Sequence, residues 1–252
     1  PAGGCGRRSS GRWWRGCITI GSVRQPRFEV RAATRRWLAV ATYAVAMAYV
    51  ESAAVYYLRT LYGGVDPAGP RHRQTGPLPD FLWVEIGREV ATLVMLGVVG
   101  YLAAGSLAGR LGAFGIAFGV WDVFYYAFLW LFAGWPASPW APDVLFLLPL
   151  PWWGPVVSPV LVAFVIVVAG AAAMARELGD GLPRPRWLDG ACVALGVGLC
   201  LMAFMANALS ALPGGIEAAF SAGGGVFPWP IYALGVGVGG GGLARCLTRE
   251  AA

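Results

Sequence analysis

Several apolar runs in this chain reach about 20 residues, the length that a helix needs to cross the roughly 30 Å hydrocarbon core of a bilayer. Apolar residues make up 58% of the sequence and charged residues 13%, whereas a soluble globular protein has about 25% charged residues. A soluble domain of this size could bury one such run as a core helix, but not six. The sequence therefore predicts an all-α fold, a polytopic helical bundle in a membrane.

Six transmembrane helices are predicted in a membrane domain over residues 37–247. Loop arginines indicate the orientation, because short loops rich in positive charge stay in the cytoplasm. Segments with and without arginine alternate, which places both termini in the cytoplasm. The loop 59–80 is the exception, with Arg59, Arg71 and Arg73. The predicted spans are 37–58, 81–104, 113–132, 156–175, 188–209 and 230–247.

Residues 1–36 form a basic segment that we expect to be a disordered cytoplasmic tail. It holds nine of the nineteen arginines and lacks the continuous apolar stretch of a signal peptide. Such a tail favours contact with anionic lipid over nucleic-acid binding. Residues 248–252 are a second, short cytoplasmic tail. The predicted location is a bacterial inner (plasma) membrane, with the lipid bilayer as partner, no nucleic acid, and a homo-oligomer as an open option.

Five ionisable side chains lie inside the apolar runs, where a charge costs on the order of 3 kcal/mol and usually faces the bundle interior. At 1.5 Å of rise per residue, Glu51, Glu89 and Asp122 reach similar depths around the midplane. Tyr126, one turn beyond Asp122, is the best candidate for a hydroxyl in the same site. The predicted solute-binding or proton-carrying residues are Glu51, Glu85, Arg88, Glu89, Asp122 and Tyr126.

Four carboxylates share one arginine in this predicted site, so some must be protonated, hydrated or paired with a cation. A low dielectric favours the neutral form of a carboxylic acid, which suits proton uptake by a transporter or acid–base chemistry in an enzyme. Three or four carboxylates could also hold a hard divalent cation. The single histidine, His72, lies in a loop far from these residues, so no histidine-rich metal site and no cofactor are expected.

Residues 143–154 read DVLFLLPLPWWG, an apolar stretch too short to cross a membrane. Pro149 and Pro151 block a continuous helix, and Trp152 and Trp153 favour the membrane interface. We interpret the segment as a re-entrant or interfacial elbow that covers the outer side of the site. These four residues would form its gate. An ordinary loop lying on the lipid surface fits the sequence equally well.

Small residues indicate where helices pack closely. Gly115, Gly119, Asp122 and Tyr126 follow a spacing of four, three and four, which gives one narrow and polar helix face. The glycines of residues 235–242 favour close packing of the sixth span over a hinge.

Three strings carry a resemblance: GVWDVFYY at 119–126, GWPAS at 134–138 and DVLFLLPLPWWGPV at 143–156. They resemble those of uncharacterised bacterial polytopic membrane proteins, over about residues 37–175. The resemblance implies no known activity. It implies that Asp122 and the Trp/Pro elbow belong to one recurring unit.

Among functions, the sequence favours a transporter or permease of a proton-linked or cationic small solute. Glu51, Glu89 and Asp122 would bind the solute or carry protons, and Arg88 would tune them or hold an anionic group. No internal repeat is evident, and six spans are few for a complete carrier, which argues for a homo-oligomer or against transport. A membrane-embedded enzyme acting on a lipid or isoprenoid-like substrate is the first alternative. A structural or assembly protein, held together by ion pairs, is the second.

Overall fold

The structure, a computed structural model, describes residues 26–61, 82–178, 186–223 and 225–248. These ranges contain seven α-helices, a single 3-10 turn and one two-stranded hairpin, which confirms the predicted all-α helical bundle. The elements are α1 (Pro26–Leu61), α2 (Leu82–Ala103), α3 (Leu107–Ala133), β1 (Pro142–Phe146), β2 (Trp152–Pro155), α4 (Val157–Leu178), α5 (Trp187–Ala211), the 3-10 turn (Leu212–Gly214), α6 (Ile216–Ser221) and α7 (Trp229–Thr248).

Five helices within the described ranges are long and apolar enough to cross a membrane. They are α1 to α5 and match the first five predicted spans. Helix α7 occupies the position of the sixth predicted span and is 20 residues long, but its glycines lower its hydropathy and it is not one of the five. A crossing by α7 and the cytoplasmic placement of both termini stay predictions.

Helix α1 begins at Pro26, well before the predicted start of the first span. Its first turns therefore lie within the segment 1–36 that the sequence predicts to be a tail. Residues 1–25, 62–81 and 249–252 are outside the described residues, and so are the predictions made for His72 and for most of both tails.

Helix α3 is fixed at both ends by polar contacts. At its start, the Ser106 side chain accepts a hydrogen bond from the Gly109 N–H at 3.0 Å. The Glu177 carboxylate of α4 accepts hydrogen bonds from the N–H groups of Gly105 and Ser106, at 2.9 and 2.5 Å. At its end, Gly134 has a φ of 65°, and its N–H caps the helix on the Trp130 carbonyl.

The predicted narrow face of α3 packs against α4. A Cβ atom at Gly119 would lie 2.7 Å from the Ala163 carbonyl oxygen, and one at Gly112 would lie 2.9 Å from that of Gly170. Only glycine permits this approach of the two backbones. The close packing predicted for the Gly115 and Gly119 face is thus confirmed, with α4 as the partner.

Helices α5 and α7 pack through glycine in the same way. A Cβ atom at Gly196 would lie 2.5 Å from the Gly239 nitrogen, and one at Gly235 would lie 2.9 Å from the Cys200 nitrogen. Helix α7 is continuous from Trp229 to Thr248. Gly235, Gly239 and Gly242 therefore serve close packing, as predicted, whereas Gly237 and Gly241 face open space, and none of them interrupts the helix.

The hairpin lies between these two groups of helices. Strand β1 pairs antiparallel with β2, so that Asp143 faces Gly154 and Val144 faces Trp153. The Trp152 ring stacks on Phe204 of α5, with the two rings 6.0 Å apart and 5° from parallel. The hairpin thus links the α1–α4 region to the α5–α7 pair.

Candidate functional site

Arg88 joins α1 to α2 through two carboxylates. Its Nη2 and Nε atoms lie 2.7 and 3.1 Å from Oε2 of Glu85, three residues earlier on the same helix. Its Nη1 atom forms an ion pair with Oε1 of Glu51 on α1. We call Glu51, Glu85 and Arg88 the Arg88 cluster. Its guanidinium is paired with two acids, and its role of tuning them or holding an anionic group of a solute stays a prediction.

Glu89, the next residue on α2, turns toward the hairpin instead. The side chain is buried, and its two carboxylate oxygens accept the Leu147 N–H at 3.1 and 2.9 Å. Leu147 follows directly after β1, at the tip of the hairpin. A backbone N–H in a membrane interior has no water to bond to, so a buried acceptor stabilises it there.

The depth of Glu89 also shows where the hairpin reaches. At 1.5 Å per residue, Glu89 lies about 10 Å along α2 from its start at Leu82. The hairpin tip therefore extends into the length of the bundle, and Asp143, Phe146 and Pro151 are buried. This packing against α2 favours the predicted elbow over a loop lying on the lipid surface, and its entry into the membrane stays a prediction.

A second ion pair joins α1 to the hairpin. Nη2 of Arg59 lies 3.8 Å from Oδ1 of Asp143, and the two side chains are only 6% and 1% exposed. The Tyr126 hydroxyl donates a long hydrogen bond, 3.4 Å, to Oδ2 of Asp143. The Arg59 guanidinium also lies over the Trp135 ring, 4.4 Å from its centre.

Neither Arg59 nor Asp143 is among the site residues predicted from the sequence. Arg59 counts there as a loop charge that contradicts the orientation, whereas the structure places it in α1 as the buried partner of Asp143. A signal existed, because Arg59 lies two helical turns beyond Glu51 on a similar face. Asp143 is a lone acid at the start of an apolar stretch, which is a weaker signal.

Asp122 differs from the other predicted acids. Its Oδ2 atom is buried and has no hydrogen-bond partner among the residues that the structure describes. The carboxylate of Asp143 repels a negative charge on Asp122. The hydroxyl of Tyr126, one turn further along α3, donates its hydrogen bond to Asp143 rather than to Asp122. A buried charged oxygen without a donor is energetically unfavourable, so Asp122 is suited to take a proton or a cation.

The predicted site is therefore divided into three parts. The Arg88 cluster links α1 and α2, and Glu89 of α2 binds the backbone of the hairpin. Asp122 of α3 is repelled by Asp143 of β1. Ser52 of α1 contacts α3, because its hydroxyl lies 3.0 Å from the Tyr125 carbonyl oxygen. Within the described ranges, no three His, Cys, Asp or Glu side chains are placed to hold one metal ion.

The four predicted gate residues occupy different positions in the hairpin. Pro151 is fully buried, whereas Pro149 is exposed at the turn. Trp152 packs between Phe146 and Phe204, at ring distances of 5.4 and 6.0 Å. These contacts make Trp152 part of the packing between hairpin and bundle.

Fold and site together define a multi-pass helical membrane protein with buried ion pairs and a partly buried hairpin. No protein-family model, curated protein or solved structure matches the chain. The resemblance of its sequence strings to bacterial membrane proteins stays a prediction.

Proposed function

We propose that this chain is a permease of a bacterial inner membrane that moves a proton-linked or cationic small solute, and that Asp122 takes up the proton or the cation. The observation that carries the proposal is the buried Oδ2 atom of Asp122, which lacks a hydrogen-bond donor among the described residues. Ionisable groups at membrane depth commonly mark ion and proton pathways.

The distribution of positive charge supports this role for Asp122. The Arg88 guanidinium pairs with Glu51 and Glu85, and the Arg59 guanidinium pairs with Asp143. Among the described residues no arginine pairs with Asp122, and Asp143 adds the repulsion of a second acid. Binding a proton or a small cation removes the cost of holding that carboxylate in a medium of low dielectric.

Glu89 and the hairpin would form the gate of the same site. The Glu89 carboxylate accepts the Leu147 N–H and so restrains the hairpin. The same hairpin includes Asp143, whose charge repels that of Asp122. Release of Glu89 from Leu147 would free the tip that includes Pro149 and Pro151. In this scheme Trp152, packed on Phe204, is the fixed end about which the tip moves.

The test is flux through purified protein in liposomes that contain a pH-sensitive dye. Sodium, potassium, ethylammonium and tetramethylammonium salts are added singly as probes. We expect at least one probe to change the internal pH faster than in empty liposomes. Asp122→Asn is expected to abolish that response and to keep the thermal stability of the wild type. Glu85→Gln, with one carboxylate left on Arg88, is the matched control and should retain flux.

Two results would contradict the proposal. One is equal flux in Asp122→Asn and wild type. The other is a wild-type protein that no probe distinguishes from empty liposomes.

A structural role is the second candidate, and the Arg88 cluster favours it for its three members. Arg88 binds one acid on its own helix and one on α1, which is the arrangement of an interhelical tie. On this account, substitutions in the Arg88 cluster lower stability and reduce flux only in proportion to the protein that unfolds.

A further inference from the structure

A groove between α1 and α2 lies at the opposite end of these helices from the Arg88 cluster. Its volume is about 510 Å³, within the range of roughly 300 to 1,000 Å³ that is usual for small-molecule sites. The walls are apolar apart from one arginine. The residues that shape it include Arg36, Ala39 and Val40 of α1, Val99 and Leu102 of α2, and Ala104.

The position of the groove corresponds to a membrane boundary. Arg36 lies near the start of the first apolar span, which begins at Arg31, and Leu102 lies near the end of the second, at Ala103. Both spans therefore reach the bilayer surface at this groove. A ligand there would have its polar end at the surface and its apolar end between two membrane helices.

The charge at the mouth of the groove is positive. Arg36 is exposed and lines the groove, and Arg31 and Arg35 are exposed on the same end of α1. Arg110 lies beside it, because its Nε atom donates to the Ala104 carbonyl at 3.2 Å.

An acid of α4, Glu177, lies beside the groove, because it binds Gly105, one of the lining residues. Its carboxylate accepts the N–H groups of Gly105 and Ser106 at the start of α3. These amides are therefore occupied and do not compete for an anionic ligand. The arginines at the groove mouth keep their positive charge available to such a ligand.

We propose that this groove binds an acidic phospholipid, with the phosphate at Arg36 and one acyl chain along Val40 and Val99. Charge complementarity selects an anionic headgroup, and the apolar walls select a chain. An arginine near a membrane surface favours anionic lipid by about 1 kcal/mol, which is about fivefold in affinity. This site is independent of the transport proposal, because it shares no residue with Asp122 or the Arg88 cluster.

The test is lipid retention by the purified full chain, measured by native mass spectrometry. Phosphatidylglycerol and phosphatidylcholine with the same acyl chains are the two probes. We expect preferential retention of phosphatidylglycerol, reduced about fivefold by Arg36→Gln. Arg35→Gln is the matched control, since Arg35 is equally exposed but does not line the groove, and it should retain the lipid as wild type does.

A second variant tests the chain-binding part of the groove. Ala39→Phe would fill the space between α1 and α2 from an exposed position, so folding should be preserved, which thermal unfolding checks. We expect it to reduce retention of both lipids. The proposal is overturned if Arg35→Gln lowers phosphatidylglycerol retention as much as Arg36→Gln does, or if Ala39→Phe has no effect.

Discussion

Two regions of this molecule hold their helices together by different means. In the first, α1, α2, α3 and the hairpin are joined by ion pairs and hydrogen bonds, chiefly those of Arg88, Arg59 and Glu89. In the second, α5 and α7 are joined by glycine backbones in close contact at Gly196 and Gly235. We call them the polar region and the glycine region.

The difference shows where a membrane protein can place chemistry. Lipid tails are as apolar as the helix surfaces, so helices associate through close packing or through polar contacts. Close packing leaves no room for a side chain. Polar contacts bring ionisable groups to membrane depth, where they can also bind protons or ions. The glycine region includes an ion pair of Asp189 with Arg245 at 3.1 Å, and Arg245 is 54% exposed there.

The hairpin belongs to both regions. Its Asp143 and Leu147 contact the polar region, and Trp152 stacks on Phe204 of α5. The Tyr232 hydroxyl of α7 donates to the Ser158 carbonyl at 2.6 Å, at the start of the helix that follows the hairpin. A movement of the hairpin would therefore alter contacts in both regions.

The largest expected effect comes from removing Arg59. Arg59→Met leaves Asp143 charged in a position that is 1% exposed, which we expect to lower the free energy of unfolding by about 3 to 5 kcal/mol. The measurement is unfolding in mixed micelles with increasing sodium dodecyl sulfate. The double variant Arg59→Met/Asp143→Asn should recover most of the loss, because the uncompensated charge is gone. If the double variant is no more stable than the single one, the Arg59–Asp143 pair is not what holds α1 to the hairpin.

The second-largest effect is expected from a substitution that disrupts the packing of the glycine region. Gly196→Ala places a methyl group against the Gly239 backbone, which we expect to destabilise the protein by about 1 to 3 kcal/mol through overpacking. The same unfolding assay measures it. No second substitution in the polar region should restore this loss, since no charge is involved. A Gly196→Ala protein as stable as wild type would show that α5 and α7 do not depend on backbone contact.

A smaller effect is expected at the contact between α2 and the hairpin. Glu89→Gln keeps an acceptor for the Leu147 N–H but replaces a charged one by a neutral one, at a cost of about 1 kcal/mol. Hydrogen–deuterium exchange of a peptide covering residues 143–154 should become faster. A control peptide from α7 should keep its rate. Unchanged exchange in both peptides would mean that Glu89 does not restrain the hairpin.

The smallest effect has the opposite sign. Gly198 lies two residues from Gly196 on α5, but a Cβ atom there would meet nothing within 4 Å. Gly198→Ala should therefore leave the packing intact and stabilise the helix by up to about 1 kcal/mol. It is also the matched control for Gly196→Ala. A loss of stability at Gly198 as large as at Gly196 would assign both effects to the helix itself and not to its contact with α7.

The sequence alone predicts much of the polar region, but not its pairing. Spacing along α2 brings Glu85 and Arg88 to one face, as observed, because i and i+3 residues of a helix are neighbours. Depth along each span placed Glu51 at a level similar to that of Glu89, the residue next to Arg88, since rise per residue is nearly constant. The partner of Glu89 was not predictable in this way, because Leu147 belongs to a distant segment and contributes only its backbone N–H.

Local properties of the chain determined the helical membrane fold, the positions of five apolar spans and the glycine faces, because length, hydropathy and side-chain size act residue by residue. The tertiary structure decided the rest. It folded residues 143–154 into a partly buried hairpin, paired Arg59 with Asp143 and left Oδ2 of Asp122 without a donor among the described residues. These outcomes depend on which segments meet in space, and a buried charge or amide is stabilised only by the particular partner that packing brings to it.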